Sequence, residues 1–341
     1  MFMFSIIRYL LFLFDPEIAH HIAMKSLKVA DFFGLLSFLP SPPPSKPRIV
    51  FGVEFKNALG LAAGLDKNAE YIDCLSKLGF GFIEVGTLTP RAQPGNPKPR
   101  LFRLTNEEGI INRFGFNNVG IDKAILNIKS SKFTGVLGIN IGKNFDTPIE
   151  DAINDYLICF RKAYQYASYI VINISSPNTQ NLRKLQDKSF FEGLISRIKL
   201  EQEAQARKHK KYVPFLIKIS PDGSMKEMDN IIKLLIKYNI DGIIATNTTL
   251  SRNEVSESKF KDQAGGLSGE PLRSRALKTQ KYLYKGLKGK IPIIGVGGIM
   301  QGKDAVERMD EGAELIQIYS GLIFKGYRLI NELCECTKQR Q

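Results

Sequence analysis

Cysteine is scarce: four occur in 341 residues (Cys74, Cys159, Cys334 and Cys336), and no two have CxxC spacing. That pattern excludes a disulfide framework and a cysteine-held iron–sulfur cluster, and it points to a reducing compartment. Cys74 and Cys159 read as mid-helix residues, and Cys334 and Cys336 are expected in a mobile tail. Histidine is scarcer still, with three residues, two of them adjacent as His20-His21. A histidine-built metal site or a Ser-His-Asp triad has little to draw on, so no metal is expected. Long basic runs are also missing, although the net charge is +14. Nucleic acid, an anionic membrane surface and a small anionic ligand are the partners such a charge allows. The densest cluster, Arg207, Lys208, His209, Lys210 and Lys211, reads as the solvated C-terminal end of a polar helix.

No apolar run is long enough to cross a bilayer. Residues 2–14, FMFSIIRYLLFLF, carry one charge. As a helix they span about 20 Å, whereas a membrane span needs roughly 20 residues. A signal peptide fits poorly, because no basic start precedes the run and Asp15-Pro16-Glu17 follows it. Insertion part-way into one leaflet is the expectation, with burial against the main domain as the alternative.

Apolar residues at 43% and charged residues at 24% are ordinary globular proportions. Asp15 can cap a second helix with Pro16 in its first turn, running to about Phe38. PSPPPSKPR, residues 40–48, then breaks regular structure. The chain is thus expected to divide into a helical segment at 1–39, a linker at 40–48 and a main domain at 49–341. In the main domain, short apolar strands alternate with helix-period segments. The strands are 58–64, 81–89, 135–142, 169–175, 214–220, 241–249, 292–298 and 315–321. Eight such units indicate a (β/α)8 TIM barrel, an α/β fold. A doubly wound open sheet is the runner-up, but no early GxGxxG supports it. The connections 90–117 and 250–273 are long, as binding or lid segments are.

Chemistry in such barrels sits at the C-terminal strand ends. Here those ends carry Lys67, Thr87, Asn140, Asn173, Lys218, Thr246, Asn247 and Thr248. Amides and lysines with few carboxylates suit a flat heterocycle bearing imide groups and an anionic substituent, and they do not support paired-carboxylate hydrolysis. Gly295-Val296-Gly297-Gly298-Ile299, Tyr319-Ser320-Gly321 and the glycine-rich turn Gly265-Gly266-Leu267-Ser268-Gly269 together favour phosphate. Lys218 could form a Schiff base, or it could place positive charge beside a reduced flavin.

Three motifs bear on that choice: Ala63-Gly64-Leu65-Asp66-Lys67, Asn112-Arg113-Phe114-Gly115-Phe116-Asn117 and Asn173-Ile174-Ser175-Ser176-Pro177-Asn178-Thr179. With GTLTPRAQPGNPKPRLFRL (86–104), ATNTTLSR (245–252), GGLSGEPLRSRA (265–276) and IPIIGVGGI (291–299), the chain resembles the dihydroorotate dehydrogenases over essentially its whole length. Ser176 and the N-terminal helices resemble the class 2, quinone-dependent branch; class 1 has a cysteine at that place and no such extension. One departure is Gln180-Asn181, where the family carries Pro-Gly. It alters the loop's backbone freedom and removes no catalytic group.

The resemblance implies oxidation of dihydroorotate to orotate in de novo pyrimidine (UMP) biosynthesis, with a membrane quinone as acceptor. It implies FMN held by residues 63–67 (Ala63, Gly64, Leu65, Asp66, Lys67), Thr87, Asn140, Asn173, Lys218, Thr246, Gly269, Gly298, Tyr319 and Ser320. Substrate would be bound by Lys67, Asn112, Arg113, Phe114, Gly115, Phe116, Asn173, Asn178, Asn247 and Thr248. Ser176 would be the base, handing its proton onward through Thr179 and water. His20, Arg103 and Tyr319 are candidates for the quinone head. A peripheral protein on the reducing, cytoplasmic side of an inner or plasma membrane is implied, docked by its N-terminal helices. Neither nucleic acid nor an obligate protein partner is implied. The barrel has its eight strands without residues 1–40, so their loss is expected to spare the dihydroorotate half of the reaction. A tRNA dihydrouridine synthase would also be an FMN barrel and often basic, but it needs a loop cysteine and a C-terminal helical domain. A non-enzymatic membrane scaffold is the distant third reading.

Overall fold

The computed structural model describes residues 2–179 and 182–338, so the Gln180-Asn181 departure lies outside the described residues. Two helices come first, α1 (Phe2–Phe12) and α2 (Pro16–Phe32). The Asp15 carboxylate caps α2 by accepting from the Glu17 and Ile18 amides, with Pro16 at the first turn. α2 stops at Phe32, short of the expected Phe38. Gly34 follows in the left-handed region (φ 71°), which ends the α-helix, and Leu35–Phe38 form a single 3-10 turn.

The barrel strands are β1 (Leu59–Leu61), β2 (Phe82–Leu88), β3 (Val136–Ile141), β4 (Tyr169–Asn173), β5 (Phe215–Ile219), β6 (Gly242–Ala245), β7 (Ile293–Val296) and β8 (Ala313–Ile318). They close in sequence order, every pair parallel, with β8 returning to β1. Helices alternate with them: α3 (Ile72–Ser76), α4 (Ile121–Ser130), α5 (Ala152–Ala163), α6 (Lys188–His209), α7 (Met225–Lys237), α8 (Arg273–Leu287), α9 (Gly302–Asp310), α10 (Ser320–Lys325) and α11 (Tyr327–Thr337). α11 overturns one expectation. Cys334 is no tail residue but is buried, because α11 lays Leu329, Ile330 and Leu333 into the core.

The barrel interior is layered. Its lower layer is apolar: Phe82, Tyr169, Leu216, Ile294 and Leu315 pack together. Strands Arg48–Val50 and Val53–Phe55 pair antiparallel, and the rings of Phe51 in their turn and of Phe55 join this cluster edge-on. The next layer is polar. Glu84, Asn140, Lys218 and Gln317 are all buried. The two long connections are not loops throughout. Leu101–Leu104, Gly109–Asn112 and Gly266–Gly269 form a three-stranded antiparallel sheet. The expected glycine turn is therefore an edge strand. A Cβ on Gly266 would stand 1.8 Å from Thr248 Oγ1, so glycine permits that close approach.

The first helix meets α10 and the turn that leads into α11. Arg8 Nη1 donates to the Phe324 carbonyl at 2.6 Å, and the Phe12 and Phe324 rings pack edge-on at 5.7 Å. Gly326 (φ 73°) lets the Phe4 ring lie against the α10–α11 turn, where a Cβ would be 2.3 Å away. The outer faces of α1 and α2 keep Tyr9, Leu10, Leu13, Phe14, Ile18 and Phe32 exposed. No described helix is long and apolar enough to cross a membrane.

Candidate active site

The polar strand ends open into one cavity at the mouth of the barrel. Ser176, Asn112, Asn178, Asn247 and Thr248 line it together with Lys67, Thr87, Asn173, Lys218 and Thr246. Ala63, Gly64, Phe114, Gly115, Phe116, Gly269, Gly298, Tyr319 and Ser320 line it too. Four of the expected residues stand behind the wall. Asn140 is a brace: its Oδ1 accepts from Thr87 Oγ1 at 2.6 Å and from Asn173 Nδ2 at 3.2 Å. Asp66 is buried and accepts from the Glu70 and Tyr71 amides at 2.9 and 2.8 Å, shaping its own loop; burial lifts its pKa to about 6. Leu65 faces a second, apolar cavity. Arg113 turns outward, donating to Gln263, Ala264 and Pro99, so it ties the two long connections together.

The amides on the rim form two hydrogen-bonded pairs. Asn178 Nδ2 donates to Asn112 Oδ1 at 3.2 Å, and Asn247 Nδ2 donates to Asn173 Oδ1 at 3.3 Å and Ser175 Oγ at 3.1 Å. Ser176 Oγ accepts from the Asn178 amide at 3.2 Å. Thr179 Oγ1 is buried with no hydrogen-bond partner among the described residues. Lys67 supplies positive charge, its ammonium 4.1 Å over the Phe114 ring. Burial pulls its pKa down to about 8, Arg100 adds to that, and Glu17 and Asp66 oppose it.

Sequence reasoning passed over the floor of this cavity. Gln317 lines it, and beneath it lies Glu84. Glu84 accepts from Asn140 at 2.8 Å, Gln317 at 2.7 Å and the Tyr169 hydroxyl at 3.3 Å, with Lys218 Nζ 3.9 Å away. A carboxylate on the inward register of an apolar barrel strand (Phe82, Glu84, Gly86) was the available signal. No cysteine is among the residues lining the cavity. Cys74 and Cys159 are buried, and burial pushes the thiol of Cys74 up to about 12 and that of Cys159 upward as well, so neither is a reactive thiolate.

The apolar cavity, about 500 Å³, lies between α1, α2 and the barrel. His20, Arg103 and Tyr319 all line it, among Phe4, Leu11, Ala23, Leu27 and Leu322. Burial, reinforced by the charge of Lys67, drives the His20 pKa down to about 3, so the imidazole is neutral. Arg103 stacks 3.9 Å over Phe12 and donates to its carbonyl. Tyr319 borders both cavities, and burial pushes its phenol to about 12.

Residues 48–340 match the family described as dihydroorotate dehydrogenase. A protein of Nitrosospira multiformis named dihydroorotate dehydrogenase (quinone) is 53% identical over 333 residues, covering 98% of this chain and 95% of its own. One of Buchnera aphidicola with the same name is 56% identical, over 97% and 98% of the two chains. Among solved structures, ligand-free DHODH of Eimeria tenella superposes with a TM-score of 0.85 at 36% identity, covering 95% of this chain and 96% of that one. The same enzyme in complex with ferulenol gives 0.84 at 35% identity, covering 94% and 90%. The chain therefore belongs to the dihydroorotate dehydrogenases, in their quinone-dependent class, and is an oxidoreductase.

Proposed function

We propose that the mouth cavity holds FMN beside dihydroorotate, and that the apolar cavity admits the quinone that takes the electrons. The observation that carries this reading is Tyr319, a single side chain bordering both a polar cavity and an apolar one. A donor and an acceptor of opposite polarity can thus approach one flavin from separate sides.

The residues present fit the flavin. Gln317 Oε1 is buried without a partner at the cavity floor, and Lys218 brings a cation there. An imide edge suits both. Gly298 and Ser320 end the seventh and eighth units, where barrels often hold phosphate. Thr87, Asn173, Thr246 and Gly269 complete the cradle. FMN bound there supplies a two-electron acceptor for the hydride leaving substrate C6.

The chain's own groups do the rest. Asn112, Asn178, Asn247 and Thr248 orient the pyrimidine through its amide and carboxylate groups. Lys67 offsets the carboxylate charge. Ser176 takes the proton from C5, and the Thr179 hydroxyl, three residues on and without a partner among the described residues, is the group that receives it through water. In the apolar cavity, neutral His20 and Arg103 meet the quinone head. The division into 1–39, 40–48 and 49–341 follows the same logic. The exposed apolar faces of α1 and α2 rest in one leaflet, on the cytoplasmic side of an inner or plasma membrane, with Lys25 and Lys28 near headgroups. The test is the visible spectrum of the purified protein under anaerobic conditions. Flavin absorption that bleaches on adding dihydroorotate and returns on adding quinone is expected; a colourless protein refutes the reading.

A further inference from the structure

Glu17 is out of place on α2. It stands in the first turn, where the helix dipole welcomes a carboxylate, yet it is 6% exposed while the next residue, Ile18, is 51% exposed. It lines neither cavity. Arg100 grips it with two hydrogen bonds, Nη2 to Oε1 at 2.8 Å and Nε to Oε2 at 3.2 Å, and Lys98 Nζ lies 3.4 Å from Oε1. Burial works to raise the Glu17 pKa, but Arg100 and Lys98 outweigh it and hold the carboxyl below its usual value. A buried, two-pronged pair of this kind fixes the orientation of both partners.

The other arm of Arg100 holds the 94–96 loop. Its Nη1 donates to the carbonyls of Pro94 and Asn96, at 2.7 and 2.8 Å. Asn96 Nδ2 then donates to the carbonyls of Arg113 at 2.9 Å and Asn178 at 3.1 Å. Asn178 belongs to the Ser176 segment and carries one of the rim amides. Two side chains, Arg100 and Asn96, therefore connect the first turn of α2 to the segment that bears the base. A second route is electrostatic. The Phe114 ring takes Lys67 at 4.1 Å and Arg100 at 5.5 Å.

We infer that Arg100 is a positioning residue for the substrate site and that Glu17 holds it, so that the N-terminal segment serves the dihydroorotate half of the reaction as well as the quinone half. This rests on the dihydroorotate reading of the cavity. It also revises the expectation that residues 1–40 can be lost without cost to that half. Without Glu17, the Arg100 guanidinium is a buried cation lacking its partner, and its grip on the Pro94 and Asn96 carbonyls is no longer braced. The charges facing Lys67 change as well. They are Glu17 from α2, Arg100 from the strand edge and Asp66 from its own loop, with the neutral His20 of α2 beside them. Losing Glu17 leaves Arg100 to dominate, and Lys67 then gives up its proton at lower pH. Because Lys67 faces an anionic ligand, binding weakens once that proton is gone.

The test is the affinity of the full-length holoenzyme for orotate, measured by calorimetry from about pH 6 to about pH 10. Glu17→Gln should weaken binding by ~10-fold or more and move the alkaline limb roughly a unit to lower pH. Glu17→Asp, which keeps the charge, should restore the position of the limb. Asn96→Ala cuts the hydrogen-bonded route alone and should weaken binding with the limb unmoved. If Glu17→Gln binds within about two-fold of wild type, or its limb stays put, the inference is overturned. Should that variant not fold, unchanged affinity in Asn96→Ala overturns it instead. A wild-type enzyme that fails to bind orotate at any pH removes the parent reading.

Discussion

Replacing Glu84 by Gln removes one charge from the polar layer while nearly preserving its shape. Glu84 is 0% exposed, and the buried Lys218 ammonium lies 3.9 Å away. Burial pushes the Lys218 pKa below its usual 10.5, and the Glu84 charge pushes it back up. With Gln at 84, the lysine either stays charged without a counterion or releases its proton. Removing one partner of a buried pair costs ~3–5 kcal/mol. Unfolding entropy of ~2.1 cal/mol/K per residue, taken over 341 residues, gives about 0.7 kcal/mol/K. The holoenzyme Tm should therefore fall by about 4–7 °C. The sign of the pH dependence follows. In the variant the folded Lys218 pKa lies further below its unfolded value. Between the two values the folded state binds fewer protons than the unfolded one, so stability rises with pH. The Tm deficit should be larger near pH 6 than near pH 9. Adding Lys218→Met removes the orphan cation and should recover at least half of the loss. Calorimetry of the three proteins at the two pH values decides. A Tm within about 1 °C of wild type, or a double variant no better than the single one, refutes a coupled pair.

Ser176→Ala should slow anaerobic flavin reduction by ~10²–10⁴-fold with the flavin still bound, in stopped-flow measurements. Ser176→Cys should keep part of the rate and gain with pH, since the thiolate is the basic form. Deleting residues 1–40 should abolish reoxidation by a long-chain quinone and sedimentation with liposomes, while small water-soluble acceptors still work. The same deletion removes Glu17, so it should weaken orotate binding by the factor seen for Glu17→Gln. Gly266→Ala places a Cβ 1.8 Å from Thr248 Oγ1 and 2.6 Å from its Cβ; orotate affinity should drop by ~10-fold or more, read by titration.

The barrel was legible because its signals are local. Each strand is a compact apolar run followed by a helix-period segment, and Asp15-Pro16 announces α2 by capping chemistry alone. The mouth residues were legible as strand ends. What was hidden depends on distant partners. Leu101–Leu104 and Gly109–Asn112 have four residues each, and their third strand is Gly266–Gly269, more than 150 positions on; no local pattern announces such a sheet. Glu84 was hidden because one polar residue barely disturbs an apolar run. The roles of Asp66, Asn140 and Arg113 differ from cavity lining for a related reason. Spacing puts a residue at a strand end or on a loop, but the rotamer decides whether it faces the cavity or braces a neighbour. Cys334 went astray because proximity to the C-terminus suggested a tail, whereas α11 has an apolar face to bury.

The contact between the first helix and the last two governs how the chain can be made. Arg8 and Phe12 find their partners at Phe324, and Phe4 finds its place at Gly326. A growing chain therefore leaves part of the inner face of α1 uncovered until residues 324–326 have left the ribosome. Throughout that interval the outer face of α1 and part of its inner face are apolar and unshielded, which favours aggregation. Early adsorption to a lipid surface would shield the outer face at once. The barrel would then complete itself beside a helix already at rest, and α10 and α11 would close the rest of its inner face after the eighth strand.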